Sequence, residues 1–525
     1  MKKSYKIGFD AIEKMVFGVD KLANMVKVTI GPKGKNVVID KNFASPLITN
    51  DGVTIARSFE CQDSTENVGV KLIKEVSQKT NDIAGDGTTT ATVLAQKMLS
   101  QGLKAIRNDC NPISINKGIS KACSLAITLL NKIKKDISNE KDIENVAYIS
   151  CQDKNLSQMI AESYKKLNGN CSIILQDSNT SESSLVFQEG MKIEKGFLSP
   201  YFCNNNEKNQ VVYDEAYICI LDMKLTNFNL LIGILEKIMK AGKPLLIICD
   251  DIEQEVLSTL IINKMRGNFN CCVVKCPLFG DKKIALMEDI ASLCDTTVIS
   301  ATSNKRIEEL DLSDLGLLKQ AKIDINSTTI VAKQPNKNRL DERIKSIQTQ
   351  INSCQTDFDK DALKKRLANL TGGIATLFVG AQSDVEQKEK KLRIEDAISA
   401  TNSAIESGIL PGGGVALLKI KKDLKKFVEQ LRGEEKIGGH IVLDSLEEPI
   451  IQILINAGEN YPVVIKNILA KKQKSYGYDA LCGKYCDMIK SGIIDPAKVT
   501  ITALSMACSV VKMILTTEGI IFEEE

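Results

Sequence analysis

The chain has 525 residues, 43% of them apolar and 26% charged, which is enough for several cores and too apolar for a disordered protein. Lys and Arg total 69 against 66 Asp and Glu, a formal charge of +3, so composition gives no electrostatic case for nucleic acid or an anionic membrane as partner. The single histidine, His440, excludes chemistry that needs several imidazoles, and acid-base work falls to carboxylates.

The 16 cysteines are scattered, with no CxxC pair. The first twenty residues lack a continuous apolar run, so reduced, buried thiols in a cytosol-like compartment are expected. The longest apolar runs, such as Pro244 to Cys249, fall far short of the ~20 residues of a membrane helix, which predicts a soluble chain.

In chain order, Asn67 to Ile83 carries Val68, Leu72, Ile73, Val76 and Ile83 at helical spacing. Thr89 to Arg107 repeats the pattern with Val93, Leu94, Met98, Leu99, Leu103 and Ile106, so both are predicted amphipathic helices. The middle changes character. Short apolar runs at Cys171 to Leu175, Val211 to Leu221, Pro244 to Cys249, Cys271 to Cys276 and Thr296 to Ser300 alternate with helical segments at Phe228 to Lys240 and Glu253 to Arg266. That alternation predicts an α/β domain with some parallel pairing. From Asn338 to Leu370 the seam Leu340, Ile344, Ile347, Ile351, Cys354, Phe358, then Leu363, Leu367 and Leu370, predicts two antiparallel helices packed on their own domain. Thr371-Gly372-Gly373 is the return hinge.

Gly85-Asp86-Gly87-Thr88-Thr89-Thr90 opens the second long helix. Its glycines let the backbone approach a ligand, its hydroxyls can donate to phosphate oxygens, and a helix N-terminus offers unpaired N–H groups. Asp86 would repel a bare phosphate, which argues for a divalent cation, most naturally Mg²⁺, between carboxylate and phosphate. Alone, the string also reads as a glycine turn with threonine caps. Turns at Thr29-Ile30-Gly31-Pro32-Lys33-Gly34 and Pro411-Gly412-Gly413-Gly414 are weaker signals of the same kind.

Taken with Asp51-Gly52-Val53, Glu395-Asp396-Ala397, Tyr476-Gly477-Tyr478 and Asp495-Pro496, these strings resemble the group I chaperonins, the GroEL-like heat-shock class, in order and interval from Lys6 to Thr517. The resemblance implies a multidomain α+β/α chaperonin fold. A helical equatorial domain (1–132 and 407–525) would bind ATP and form a ring, a small hinge-like intermediate domain (133–188 and 375–406) would follow, and an α/β apical domain (189–374) would bind polypeptide. It also implies a Mg²⁺-dependent ATPase, with ATP, Mg²⁺ and K⁺ as cofactors, that captures unfolded proteins and promotes their folding in a ring cavity.

Carried over position by position, Thr29, Ile30, Gly31, Pro32 and Asn50 line the nucleotide, and Asp86 holds the metal. Gly87, Thr88, Thr89 and Thr90 receive the phosphates, while Gly413, Asp479, Ala480, Leu481 and Asp495 close around base and ribose. Asp396 orients or activates the attacking water, with Asp51 opposite it near the metal and γ-phosphate. Phosphoryl transfer to water needs mostly positioning and charge stabilisation, so carboxylates and a metal suffice without histidine.

Phe228 to Met239 is too apolar for one core-facing stripe, which leaves a fully buried helix or an exposed face. The resemblance places an apolar groove here for unfolded polypeptide and for the mobile loop of a small co-chaperonin. The matching residues are Ile232, Leu235, Leu257, Ile261 and Ile262, with Phe197, Tyr201 and Phe202 beneath.

The chain departs from the pattern at Asn50, where a Lys is usual, and at Asp479, where an Asn commonly contacts adenine. It departs again at Ile451 and Asn460, where opposed rings usually share an Arg and a Glu. These departures keep open a second reading, a passive holdase or scaffold ring with slow ATP turnover. The implied partners are unfolded clients, the co-chaperonin and copies of the chain in a heptameric ring, single or stacked in two through Lys104 and apolar contacts. Nucleic acid and membrane are not among them. The implied setting is the bacterial cytosol, or an organelle matrix of bacterial origin. The C-terminal run lacks a Gly-Met-rich tail, and Gly519 to Phe522 is predicted to pair, as an edge strand, with a neighbouring subunit near Val37 to Ile39.

Overall fold

The structure, a computed structural model, describes residues 2–40, 46–167, 173–178, 180–205, 209–300, 305–333, 335–353, 360, 363, 366–367, 369–371 and 373–524. The chain divides into two compact units, Met1–Ala161 with Asp177–Ser183 and Val379–Glu525, and Glu162–Gln176 with Ser184–Phe378.

The first unit is mainly helical. Helices Phe9–Val26, Ser64–Ala84, Thr88–Arg107, Pro112–Ile133, Val415–Val428, Gly433–Ser445 and Ala497–Leu515 bury their apolar faces in one core that includes Met15, Leu22, Ile73, Leu94, Met98, Ile119, Leu424 and Val511. Both helices read from periodicity are present. The first begins earlier than its apolar spacing shows, because the Asp63 carboxylate caps it by accepting from the Thr65 and Glu66 N–H groups. Ala497–Leu515, though it holds no long continuous apolar run, is by length and composition apolar enough to cross a membrane. Val510, Val511, Ile514 and Leu515 are nevertheless wholly buried in this core, so packing accounts for its composition.

Of the four two-stranded ribbons among the described residues of this unit, two involve the chain's outer segments. Val37–Ile39 pairs antiparallel with Leu47–Thr49, and Gly519–Glu524 pairs antiparallel with Lys2–Ile7. The C-terminal strand, expected to depend on a neighbouring subunit, therefore has a partner in its own chain. The register sets Ser4 opposite Phe522 and Lys6 opposite Ile520.

The second unit is built on a mixed sheet of eight strands among the described residues. Tyr217–Leu225, Leu245–Ile252 and Cys271–Lys275 run parallel, with Tyr217 beside Leu245 and Leu245 beside Cys271. Helices Asn229–Ala241 and Gln254–Met265 make the crossovers between them. Buried on both faces, these strands read as continuous apolar runs instead of alternating ones. Gly316–Ile323, Thr328–Ala332 and Gly190–Ile193 extend the sheet antiparallel.

The helix Lys337–Ser353 buries Leu340 and Ile347, with Ile344 and Ile351 packed beside them against the core of the same unit. Leu363, Leu367 and Leu370 join that core, while Cys354, Phe358 and Gly372 lie outside the described residues, as do the first two residues of the run at Cys171. Asp289, 1% exposed, anchors this region: it accepts from Arg343 Nε at 2.7 Å and from Arg366 Nε and Nη2 at 2.8 Å.

Candidate functional site

Two helices meet at the glycine-threonine string. Ser64–Ala84 ends on Gly85 in the left-handed conformation, and Gly87, also left-handed, stands at the start of Thr88–Arg107. A side chain at Gly85 would place its Cβ 2.3 Å from Ser399 Cβ, so this position admits only glycine. The helix Asp384–Ser407, which carries Asp396, is thereby packed directly on the loop, and Ser403 Oγ donates to the Ala84 carbonyl at 2.7 Å.

Asp51 caps the short helix Gly52–Ser58, accepting from Val53 N at 3.0 Å, Thr54 N at 2.9 Å and Thr54 Oγ1 at 2.5 Å. A methyl group at Gly52 would come within 2.7 Å of both Thr88 Oγ1 and Thr89 Oγ1, which shows how closely Asp51-Gly52 approaches the threonines. The Thr29–Pro32 turn is held from the helix Glu448–Ala457. Asn456 Nδ2 donates to the Lys27 and Ile30 carbonyls, each at 2.9 Å, and Gln452 Nε2 donates to Asn456 Oδ1 at 2.8 Å.

On the other side, Ile409–Pro411 pairs with Ile494–Pro496, bringing Asp495 next to Gly412 and Gly413. Asp479 ends one strand of the hairpin Tyr476–Asp479 and Lys484–Asp487. Its Oδ1 accepts from Leu481 N at 2.9 Å and Cys482 N at 3.1 Å, so this carboxylate shapes the turn that presents Ala480 and Leu481.

These segments enclose one cavity of about 690 Å³, a size ordinary for small-molecule sites. Thr29, Ile30, Gly31, Pro32, Asn50, Asp51, Asp86, Gly87, Thr88, Thr89, Thr90, Asp396, Gly413, Asp479, Ala480, Leu481 and Asp495 all line it, so every residue carried over for the nucleotide reaches the same space. Sequence reasoning missed Asn145, Tyr148, Gln152, Arg393 and Ile453, which line it as well. Arg393 stands one turn from Asp396 and could have been found by helical spacing, whereas Asn145 to Gln152 carry no local motif.

The electrostatics are those of crowded, buried carboxylates. Burial first, and then the charge of Asp51, push the Asp86 carboxyl up, while the Gly87 N–H, 2.5 Å away, opposes this. Asp495 is raised to about 7 by burial and by the charge of Asp86, against the pull of the Gly413 N–H. No cluster of three or more Cys, His, Asp or Glu able to hold a metal occurs among the described residues. The buried hard-oxygen set headed by Asp86 nevertheless fits Mg²⁺, which is commonly held by one or two carboxylates together with phosphate oxygens.

The residues carried over for the polypeptide groove lie in the second unit. Tyr201, Ile232 and Ile262 are 66%, 39% and 48% exposed, and Leu257 and Ile261 are half-buried. Phe197, Phe202 and Leu235 are buried in the core of this unit. The helix Asn229–Ala241 resolves its excess of apolar residues by burying Leu231, Ile234, Leu235 and Ile238 on one face while Ile232 and Met239 point outward. Met265, 68% exposed and unforeseen, extends the outward apolar set. Lys264 Nζ fastens Tyr201 to this helix end through the Tyr201 and Cys203 carbonyls, each at 2.9 Å.

Over 99% of its length the chain is similar to the chaperonin gp146 from bacteriophage EL 2 (Pseudomonas aeruginosa), crystallised in the presence of ATP-BeFx. The match covers 99% of that chain too, at 23% identity and a TM-score of 0.66, a likeness of fold. Residues 22–525 match the TCP-1/cpn60 chaperonin family. Nearly the whole chain is thus accounted for by one family whose nucleotide strings converge here on one cavity, and the protein belongs to the TCP-1/cpn60 chaperonins.

Proposed function

We propose that this chaperonin is a Mg²⁺-dependent ATPase that uses turnover to capture and release unfolded polypeptide in a ring cavity. The observation that carries the reading is the convergence of Asp51, Asp86, the Thr88 to Thr90 hydroxyls and Asp396 on one cavity. The Thr88–Arg107 N-terminus and its threonines would bind phosphate oxygens, and the turn at Asp479 to Leu481 would bind the base. Asp86 would hold Mg²⁺, which when bound supplies charge neutralisation at the phosphates. Asp396, with Asp51 opposite, would orient the attacking water and accept its proton.

Tyr201, Ile232, Ile262 and Met265 offer a surface for client chains and for the mobile loop of a ten-kilodalton co-chaperonin, recognised by apolar burial. A heptameric ring of bacterial cytosolic type, dependent on K⁺, completes the reading. Between opposed rings the ion pair is absent, but Ile455, Tyr461 and Val463 are exposed and provide apolar contact, so a second ring would be held more weakly. The neutral Asn50 beside Asp51 favours the alternative of a holdase ring with slow turnover.

Steady-state ATPase measurements with and without Mg²⁺, K⁺, an unfolded client and the co-chaperonin separate the two. Asp396→Ala should retain nucleotide and lose turnover by about 10²- to 10⁴-fold. Unchanged hydrolysis in that variant would overturn the assignment.

A further inference from the structure

Five aspartates line the cavity, Asp51, Asp86, Asp396, Asp479 and Asp495, and Arg393 is the cationic side chain among its described lining residues. A triphosphate entering this field needs more positive charge than one divalent ion brings. Position 50, beside Asp51, offers only the neutral Asn50. Arg393 stands three residues before Asp396 on Asp384–Ser407, so the two side chains share a helix face and line the same space.

The guanidinium is kept near its own helix by charge alone, since neither Arg393 Nε nor Glu389 Oε1 has a hydrogen-bond partner among the described residues. Arg393 Nε lies 2.5 Å from Glu389 Oε1, one turn earlier on the helix, and the arginine side chain is 25% exposed. A guanidinium has five N–H donors in a planar fork. One edge can stay on Glu389 while the other offers two parallel donors to a phosphate, a geometry that a lysine ammonium cannot reproduce.

We propose that Arg393 is a phosphate-binding residue of this cavity, held by Glu389 and directed at the terminal phosphate, where it supplies the positive charge that Asn50 does not. This rests on the nucleotide reading above. A residue that meets only the terminal phosphate discriminates between triphosphate and diphosphate. A merely structural arginine would affect both ligands alike.

The test is isothermal titration calorimetry on the full chain with Mg²⁺, using ADP and a non-hydrolysable ATP analogue, with thermal melts to check folding. Arg393→Gln should weaken the triphosphate by about 10- to 100-fold, the cost of one charge-assisted hydrogen bond, and ADP by less than about 3-fold. Arg393→Lys keeps the charge without the fork and should lose about 3- to 10-fold on the triphosphate; it also serves if the Gln variant folds poorly. Adding Asn50→Lys to Arg393→Gln should restore most of the lost preference. If the wild type binds neither nucleotide, the nucleotide reading fails and this role with it. If the wild type prefers the triphosphate and both Arg393 variants keep that preference, only the role of Arg393 is overturned.

Discussion

Two residues carried over to one groove, Ile262 and Leu235, are separated by the structure into opposite roles, and charge substitution at each makes the difference measurable. Ile262 is 48% exposed on the outer face of Gln254–Met265, whereas Leu235 is 4% exposed and packs in the core of its unit. Full burial of an isoleucine is worth about 1.5–3 kcal/mol, and about half of that surface is still in water. Client contact at Ile262 is therefore worth about 0.7–1.5 kcal/mol, and Ile262→Glu should weaken capture by about 3- to 10-fold with little change in stability. Leu235→Glu forfeits about 2–5 kcal/mol of packing and forces a carboxylate into the core at several kcal/mol more. Against a total stability of about 5–15 kcal/mol, that is enough to unfold the unit. Thermal melting read beside suppression of aggregation of a denatured client separates the cases. A Leu235→Glu protein that melts like wild type, or an Ile262→Glu protein that melts far below it, would refute the reasoning.

Three further outcomes are expected. The Asp495 carboxyl, at about 7 in the folded chain against about 3.9 unfolded, binds its proton more tightly when folded, so its stabilising contribution is complete below pH 4 and is lost as pH rises through 7. The unfolding free energy of the nucleotide-free wild type should fall relative to Asp495→Asn across that window, by at most about 1.4 kcal/mol per pH unit, and parallel profiles would refute this. Asp289→Ala leaves Arg343 and Arg366 facing each other without their shared carboxylate and should cost about 3–5 kcal/mol by chemical denaturation, whereas a loss below 1 kcal/mol would show the pairs to be dispensable. Deleting residues from Gly519 onward strips Lys2–Ile7 of its partner strand and should impair ring assembly, with intact rings in native mass spectrometry as the contrary result.

The cavity was legible in the sequence because its parts are short local strings, each with a backbone requirement of its own. Gly85 and Gly87 must adopt left-handed conformations around Asp86, and the threonines must follow at a helix start. Asp479 shows the limit of that legibility. Its departure from Asn read as a change at the base, whereas the structure also employs the carboxylate to cap its own turn. Tyr148 was missed because a lining residue from a helix face needs no motif, only the right neighbour across space, whereas Arg393, one turn before Asp396, was within reach of helical spacing.

By itself, the sequence determined the family, the helical ends and parallel α/β middle, and the short strings that line one cavity. Those properties follow from local backbone chemistry and from the period of apolar residues along each element. Exposure was decided only by tertiary structure. Leu235 and Ile232 sit on the same helix with the same chemistry, and Ala497–Leu515 has a composition fit for a membrane, yet which side faces the core depends on the elements packed against it. The same holds for the C-terminal strand: its β-prone run was readable, but its partner in the same chain, Lys2–Ile7, lies at the far end of the sequence, beyond the reach of any local pattern.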